Sequence, residues 1–481
     1  MIKSIEFINY RNLNQKLEFD KKLNIIFGNN NFGKTNILDG IRLAFSTITN
    51  DYFKINKSDF KDSDDTIPIN IKVELEEDSI PSLNFFDERG KTKCGFNVLI
   101  KKSQNGRYIR DVSLLNGSSI DFEILKNDMK LPNVYAIPLV RIEDIYTDGL
   151  VTWISKFISS EEKYKDLKKD SKEAINKQIE AKKIEFQNFC KRFNQTFDIA
   201  LSDPKLTDEK VYIVDGEKEH NYKIGSGYKS IANIILNTLN ENYNIILIDE
   251  IENHLHPSLI RTLIRELRKV SNAIIIGTTH SPVVINELKM EELIDVSGKK
   301  LSDISDANKR KLDIFLHPGR SELMLADNII LVEGYTEELL LNNYLYKNNL
   351  NWTVVNVAGI MFEPYIELSS FLEKKTIVVS DNDKSLSDKL ESSERFNNLK
   401  ILCNSYNIKL LEVDNTLETD LYNNNYLNNF TNLLKQHKNH NEIYIAKKNR
   451  KSEIAERLIE NEVDLSGWHI IKDIKNEFKG S

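Results

Sequence analysis

At 481 residues the chain is longer than one hydrophobic core accommodates, and its 40% hydrophobic and 29% charged residues are ordinary for a globular protein of about two to four domains. A net charge of −7 argues against indiscriminate coating of nucleic acid, while leaving room for a local basic groove beside an acidic metal site. No apolar run approaches the roughly 18 residues of a membrane span, the N-terminus lacks a signal layout, and Cys94, Cys190 and Cys403 are far apart, so a reduced cytoplasmic protein with no membrane partner is expected.

Residues 2–8 and 23–27 read as strands. They lead into Gly28-Asn29-Asn30-Asn31-Phe32-Gly33-Lys34-Thr35 and then a helical pattern through Ile37, Leu38, Ile41, Leu43, Ala44 and Phe45. Strand, G-x-x-x-x-G-K-T and helix together form the full context of a phosphate-binding loop. The backbone N–H groups of Asn30 to Lys34 are expected to cradle a β-phosphate, Lys34 to reach the β and γ oxygens, and the Thr35 hydroxyl to meet magnesium, with Asn36 closing the loop. Residues 50–150 read as mixed and strand-rich, with 67–75 alternating and the acidic stretch Asp59 to Asp65 a solvated loop. From 153 to 210 an inserted amphipathic helix or hairpin is expected. Its stripe of Ile175, Ile179, Phe186, Phe189 and Phe193 either packs on its own domain or forms a subunit interface.

Strands resume at 211–214, and Gly225-Ser226-Gly227 opens a further helix. Ile245 to Ile248 is a continuous apolar run, the pattern of a strand buried on both faces of a parallel sheet. It ends in Asp249 and Glu250, at the carboxyl edge where such sheets place ligand chemistry. Asp249 is expected to hold magnesium and Glu250 to orient an attacking water; His280, at the end of the next strand, is placed to sense a γ-phosphate. His254 and His256 read as the turn that opens a helix, because no thiol or further ligand has zinc spacing.

A second unit is expected from residue 319 to 481, after an ATPase domain assembled from 1–152 and 211–318. The strand 328–332 ends at Glu333, with Glu337 in the following helical turn, and the strand 376–380 runs into Asp381-Asn382-Asp383. Four carboxylates meeting at strand ends repel unless cations share the site. Oxygen donors without His or Cys select Mg²⁺ or Mn²⁺, and two such ions about 3.5–4 Å apart can activate water and stabilise a leaving oxygen in phosphodiester cleavage. Strands alternating with helices predict parallel α/β sheets in both units.

Tyr10-Arg11, the phosphate loop, Gly225-Ser226-Gly227, Asp249-Glu250 and His280 together resemble the ABC-type P-loop ATPase heads of RecF and SMC-like proteins. That resemblance implies two heads sandwiching ATP, with Ser226 and Gly227 capping the γ-phosphate bound to the partner head, hence a homo-oligomer, a dimer of heads or a tetramer. Lys229 stands where such signatures often carry Gln, which implies slow or conditional turnover. Glu333, Glu337, Asp381 and Asp383 are arranged similarly to a TOPRIM domain. A head followed by TOPRIM resembles the OLD (overcoming lysogenization defect) family of nucleases, which includes the nuclease subunit of the Gabija anti-phage system. The run Asp249 to Pro257 also looks like that family's, with Ile251 in place of its common proline.

The resemblance covers essentially the whole chain and is weakest at 50–220. It implies a metal-dependent DNA endonuclease or nickase in anti-phage defence, with ATP regulating access to DNA and a helicase or reverse-transcriptase as a candidate partner. It further implies that Glu418 and Asp420 complete a second metal and that Lys451 stabilises the pentacovalent phosphate or protonates the leaving group. Lys447, Lys448 and Arg450 compete with Lys451 for that role or join it in a DNA-backbone cluster, and Tyr335 replaces a common acidic residue. The competing expectation is a non-cutting DNA sensor or clamp whose TOPRIM unit docks partners; a primase- or topoisomerase-like enzyme is a third.

Overall fold

The computed structural model describes residues 2–28, 33–49, 54–77, 79–120, 134–137, 197–201, 211–215, 244–270, 273–314, 317–359, 361–384, 392–436, 443–446, 450 and 452–478, with scattered helical positions between 184 and 238. It forms two compact units, Met1–Leu301 and Ser302–Ser481. No helix among the described residues is long and apolar enough to cross a membrane.

The first unit holds two principal sheets. One is antiparallel: β1 (Ile2–Tyr10), β2 (Leu13–Glu18), β4 (Ile69–Leu75), β5 (Asn84–Phe86), β6 (Thr92–Lys102) and β7 (Tyr108–Leu114) run in the order β2-β1-β4-β6-β5, with β7 also on β6. The other is parallel, with β3 (Leu23–Phe27), β8 (Val134–Ile137), β11 (Ile245–Ile248), β12 (Ile274–Thr279) and β13 (Leu293–Asp295) in the order β13-β3-β12-β11-β8. The sequence patterns explain the difference. In β4 Ile69, Ile71, Val73 and Leu75 are buried while Asn70, Lys72 and Glu74 are only partly so, which leaves one face toward solvent. Every residue of β3, β11 and β12 is buried, as strands covered on both faces must be.

Helix α1 (Lys34–Thr49) belongs to the core shared by both sheets. Its Ile37, Leu38, Ile41, Leu43, Ala44, Phe45 and Ile48 are all buried, in a cluster with Phe7, Val73 and Phe96 of the antiparallel sheet and Leu247 and Ile276 of the parallel one. Its broad apolar face is buried, while Thr35, Asn36, Asp39, Arg42 and Thr47 make a polar side of the helix that stays at least partly exposed. Gly40 lets it sit close: a Cβ there would stand 2.4 Å from Phe7 Cε1. α2 (Pro257–Val270) joins β11 to β12, and α3 (Pro282–Glu287) follows β12.

Two sequence expectations change here. Residues 197–201, assigned above to a helical insertion, form strand β9 (Phe197–Leu201), paired antiparallel with β10 (Val211–Asp215). Phe197, Ile199 and Leu201 fall at a period of two, which suits a pleated strand rather than a helix. The apolar stripe from Ile175 to Phe193 lies outside the described residues. The acidic stretch after residue 58 is not simply solvated either. Asp59 is buried and accepts hydrogen bonds from Arg11 Nε at 2.9 Å and Asn56 N at 2.8 Å, and Asp65 pairs with Lys102 and Tyr108.

The second unit is a doubly wound parallel sheet, β14 (Asn328–Val332), β15 (Thr353–Asn356), β16 (Lys375–Asp381) and β17 (Lys409–Val413), in the order β15-β14-β16-β17. Its helices are α4 (Asp306–Ile314), α5 (His317–Leu325), α6 (Tyr335–Lys347), α7 (Phe362–Phe371), α8 (Glu394–Ser405), α9 (Leu417–Asn423), α10 (Glu453–Glu460) and α11 (His469–Phe478), and β18 (Leu434–Gln436) pairs with β19 (Ile443–Ile445). The unit takes in residues 302–318 as well, because Ser305 and Asn308 donate to the Glu367 carboxylate of α7. One core joins Ile330, Val332, Ile377, Val379 and Leu411 of the sheet to Leu340, Leu341, Leu458, Trp468 and Ile471 of the helices. The chain leaves β14 toward β15 and then returns to the other side of β14 as β16. The point where strand order reverses therefore lies between the carboxyl ends of β14 and β16, where parallel sheets open a crevice.

Replacing Ile276 of β12, which is fully buried, with Ala is expected to cost about 2–5 kcal/mol of unfolding free energy. The exposed Ile109→Ala, in β7, is expected to change it by less than about 0.5 kcal/mol, with denaturant titration reading both.

Candidate functional site

Register brings the first set of polar side chains together. Ile248 pairs with Gly277 and Thr279 with Phe27, so Asp249 follows beside Thr278, and His280 follows beside Gly28 at the head of the phosphate loop. Gly28 and Gly33 have φ of +149° and +96°, and a Cβ would stand 2.7 Å from Val296 Cγ1 or 2.6 Å from Asn12 Oδ1 respectively, so both steps require glycine. Asn29, Asn30, Asn31 and Phe32 lie outside the described residues. The buried Lys34 donates from Nζ to the Gly28 carbonyl at 2.6 Å. Burial pulls its ammonium below the usual lysine range, against the opposing attraction of Glu252, Glu250 and Asp249.

The Thr35 hydroxyl donates to Asp249 Oδ2 at 2.9 Å, which joins the phosphate loop to the tip of β11. Thr278, fully buried, donates to Asp249 Oδ1 at 2.5 Å and accepts from Glu250 N–H at 2.8 Å. It therefore fixes the turn in which Glu250 takes a φ of +48°. Glu252 accepts from Thr279 Oγ1 at 2.8 Å and from His280 N–H at 2.9 Å; His280 Nδ1 stands 3.3 Å from Glu252 and 3.8 Å from Glu250.

The sequence reading gave no role to Glu252, Thr278 or Thr279. The available hint was two threonines closing an otherwise apolar strand, since buried hydroxyls at a strand tip need partners. Asn36 donates to Asn12 and accepts from Arg11, which also reaches Asp39 at 2.7 Å. Gly227, a helical position, lies against the loop after Glu250: a Cβ on it would stand 2.5 Å from the His254 carbonyl oxygen. Ser226 lies outside the described residues. His256 Nδ1 stands 3.0 Å from Ser258 Oγ at the start of α2, where Pro257 suits the first helical position.

In the second unit, Val332 pairs with Val379, so Glu333 follows beside Ser380. Glu333 Oε1 accepts from Ser380 Oγ at 2.5 Å, from Asp381 N–H at 3.1 Å and from Arg395 Nη1 at 2.8 Å. Glu337 folds back over the turn, its Oε2 3.2 Å from where a Cβ on Gly334 would lie. Arg395 Nη2 donates to Asp383 Oδ2 at 2.7 Å and to the Asp381 carbonyl at 3.1 Å. Burial, then the charges of Glu333, Glu337, Glu418 and Asp383, push the Asp381 carboxyl well above the usual aspartate range. Four carboxylates thus act on Asp381 at the switch point.

Asp420 has different company. It lies two residues beyond Glu418 on α9, about 200° around the helix. Its Oδ2 accepts from Trp468 Nε1 at 2.5 Å and stands 3.7 Å from His469 Nδ1. Burial raises its carboxyl, while the Trp468 hydrogen bond and His469 oppose that rise.

Lys447, Lys448 and Lys451 lie outside the described residues; Arg450 is exposed and pairs with Glu456 at 3.0 Å. The donor set of Glu333, Glu337, Asp381, Asp383 and Glu418, all oxygen and in charge excess, fits a hard divalent cation. Among the described residues no three His, Cys, Asp or Glu side chains already stand at metal-holding spacing. Arg395 is the residue that sequence reasoning did not find, because no spacing rule ties it to a strand tip.

Comparison with known proteins gives two family matches: the AAA ATPase domain over residues 1–129 and 126–285, and the overcoming lysogenization defect protein-like TOPRIM domain over residues 324–383. The chain is 25% identical over 413 residues to Endonuclease GajA of Bacillus cereus (strain HuB5-5), an alignment covering 68% of this chain and 57% of that protein. Against Endonuclease GajA of Bacillus cereus (strain VD045) it is 24% identical over 446 residues, 79% of this chain and 74% of that protein. Septu protein PtuA of Bacillus thuringiensis is 25% identical over 310 residues, 60% of this chain and 74% of that protein. Among solved structures, the SmcHead bound to the C-winged helix domain of ScpA aligns with 62% of this chain and 95% of its own at 14% identity and a TM-score of 0.47. The recombination mediator RecF bound to ATP aligns with 58% of this chain and 91% of its own, at 16% identity and a TM-score of 0.35.

Thr278→Val strips one hydroxyl from both Asp249 and the Glu250 N–H, and is expected to weaken magnesium–nucleotide affinity by about tenfold in a fluorescent-nucleotide titration. Unchanged affinity would show that the hydroxyl does not organise the site. The loop closed by Lys34, its link through Thr35 to Asp249 and the family match over residues 1–285 agree, and the chain belongs to the AAA ATPase domain family, with an OLD-like TOPRIM domain following it in sequence.

Proposed function

We propose that this chain is an ATP-binding, divalent-metal-dependent DNA endonuclease or nickase of anti-phage defence, in which the TOPRIM unit cuts phosphodiesters and the ATPase unit governs access to DNA. The observation that carries this reading is the placement of Glu333, Asp381 and Asp383 at the facing tips of β14 and β16, joined by Arg395 and the Asp381 N–H, with Glu337 and Glu418 close enough to act on Asp381. The printed names of the similar proteins, two endonucleases and a Septu protein, support the same direction.

Mg²⁺ or Mn²⁺ held by these carboxylates would supply positive charge at the scissile phosphate and a water of lowered pKa. The remaining roles belong to the chain. Ser380 Oγ and the Asp381 N–H aim the Glu333 carboxylate into the crevice. Burial, and then the like charge of Glu333, Glu337, Glu418 and Asp383, raises the Asp381 carboxyl, a strain that a bound cation would relieve. Lys451 is assigned to the leaving oxygen or pentacovalent phosphate, with Lys447, Lys448 and Arg450 on the flanking DNA backbone. In the ATPase unit, the loop Gly28 to Thr35 holds the phosphates, Thr35 and Asp249 hold magnesium, Glu250 orients water and His280 senses the γ-phosphate. Ser226 and Gly227 cap ATP on a second head, which makes the active form a homo-oligomer. Phosphodiester hydrolysis needs no ATP, so nucleotide binding regulates rather than drives the cut.

Glu333→Gln and Asp381→Asn are each expected to slow plasmid cleavage in Mg²⁺ or Mn²⁺ by more than the about 10–100-fold that loss of a supporting residue costs, with ATP binding intact. Cleavage at the wild-type rate in either variant would reject this crevice as the cutting site, and no cleavage by the wild-type protein would favour a DNA clamp with a docking module. Titrating ATP is expected to change the cleavage rate, and Lys34→Ala to remove that dependence. A rate that is flat at every ATP concentration would reject regulation.

A further inference from the structure

We propose that Arg395 is a resident cation of the acidic crevice, which balances Glu333 and Asp383 until a phosphodiester arrives and must leave them for a divalent ion to bind, so that metal uptake is coupled to DNA. This rests on the metal-dependent nuclease reading above. The guanidinium straddles the two loops that bound the switch point, with Nη1 on Glu333 Oε1 at 2.8 Å and Nη2 on Asp383 Oδ2 at 2.7 Å. These are charge-assisted contacts from a planar fork to the very oxygens that a hard cation would take. A guanidinium and a divalent ion cannot share them, because like charges at such range repel strongly in a partly buried site.

The backbone around Arg395 is anchored. Ser393 N–H donates to the Asn382 carbonyl at 2.9 Å, and Ser393 Oγ accepts from Phe396 N–H at 3.2 Å to cap α8. Release therefore needs only side-chain rotation, and the Arg395 side chain, 27% exposed, has an open side to turn toward. Once off the carboxylates, the guanidinium requires another anion. A phosphate oxygen offers the geometry it matches best, and a nuclease substrate brings one to this crevice. Events are thus ordered: the DNA backbone takes the guanidinium, and the vacated carboxylate oxygens take the metal.

Mn²⁺ binding is measured by calorimetry on the full chain without nucleotide, with and without a phosphorothioate duplex that resists cleavage, and with Asp381→Asn protein as the blank. Wild-type protein is expected to bind Mn²⁺ about tenfold more tightly with the duplex than without it. Arg395→Gln is expected to bind Mn²⁺ about tenfold more tightly than wild type without DNA, and to gain little when the duplex is added. Arg395→Lys, which keeps the charge but loses the fork, is expected to fall between the two. Far-UV circular dichroism and ATP binding confirm that each variant is folded.

A folded Arg395→Gln protein with unchanged or weaker Mn²⁺ affinity, or an Arg395→Lys protein no tighter than wild type, would overturn the inference and make Arg395 a permanent clamp. If Asp381→Asn abolishes cutting and Mn²⁺ binding while the Arg395 variants behave as wild type, only this inference falls. If Asp381→Asn protein still cuts DNA and binds Mn²⁺ as wild type does, the assignment of the metal site to this crevice falls and takes the inference with it.

Discussion

A carboxylate at the end of a buried parallel strand needs a partner from the strand beside it, and both units meet that requirement in the same way. Strands covered on two faces leave polar chemistry nowhere to go except their carboxyl tips. In the first unit the Asp249 carboxylate after β11 is held by the Thr278 hydroxyl from β12. In the second, the Glu333 carboxylate after β14 is held by the Ser380 hydroxyl from β16. Neither hydroxyl could do this without the register that sets the two strands side by side. A one-residue slip would turn each hydroxyl to the opposite face of its sheet.

The units differ in how the negative charge is answered. The nucleotide site has Lys34 on the phosphate loop, folded onto the Gly28 carbonyl with Asp249, Glu250 and Glu252 near enough to act on it. A lysine is a point charge that can follow a phosphate as it arrives. The acidic crevice has Arg395, whose fork engages two carboxylates at once. The burden that remains appears at Asp381, the carboxyl most raised by burial and by its neighbours.

Much of this was legible in the chain itself, and what was not had a physical cause. Asp249, Glu333 and Asp381 are readable because each closes a buried apolar run, so local pattern alone puts them at a strand tip, and Lys34 and Thr35 because they complete the G-x-x-x-x-G-K-T loop. Asp59 was misread because acidic composition says nothing of a partner 48 residues away, and Arg11 was the partner. Arg395 starts a helix with no motif of its own; only the fold carries it across to Glu333, 62 residues earlier. Asp420 is a different case, since family pattern groups it with Glu418 while its Oδ2 accepts from Trp468 Nε1, a partner 48 residues away. Phe197 to Leu201 was too short an alternation to stand out beside a Lys- and Glu-rich stretch.

The contact beneath Gly227 bears on how sequence variation here should be interpreted. A Cβ is placed by the backbone and no rotamer moves it, so any other residue would press a carbon to 2.5 Å from the His254 carbonyl oxygen. Natural drift at this position is thus closed off by packing inside a single polypeptide. A glycine that recurs here across relatives would testify to that steric wall before it testified to a nucleotide on a neighbouring subunit.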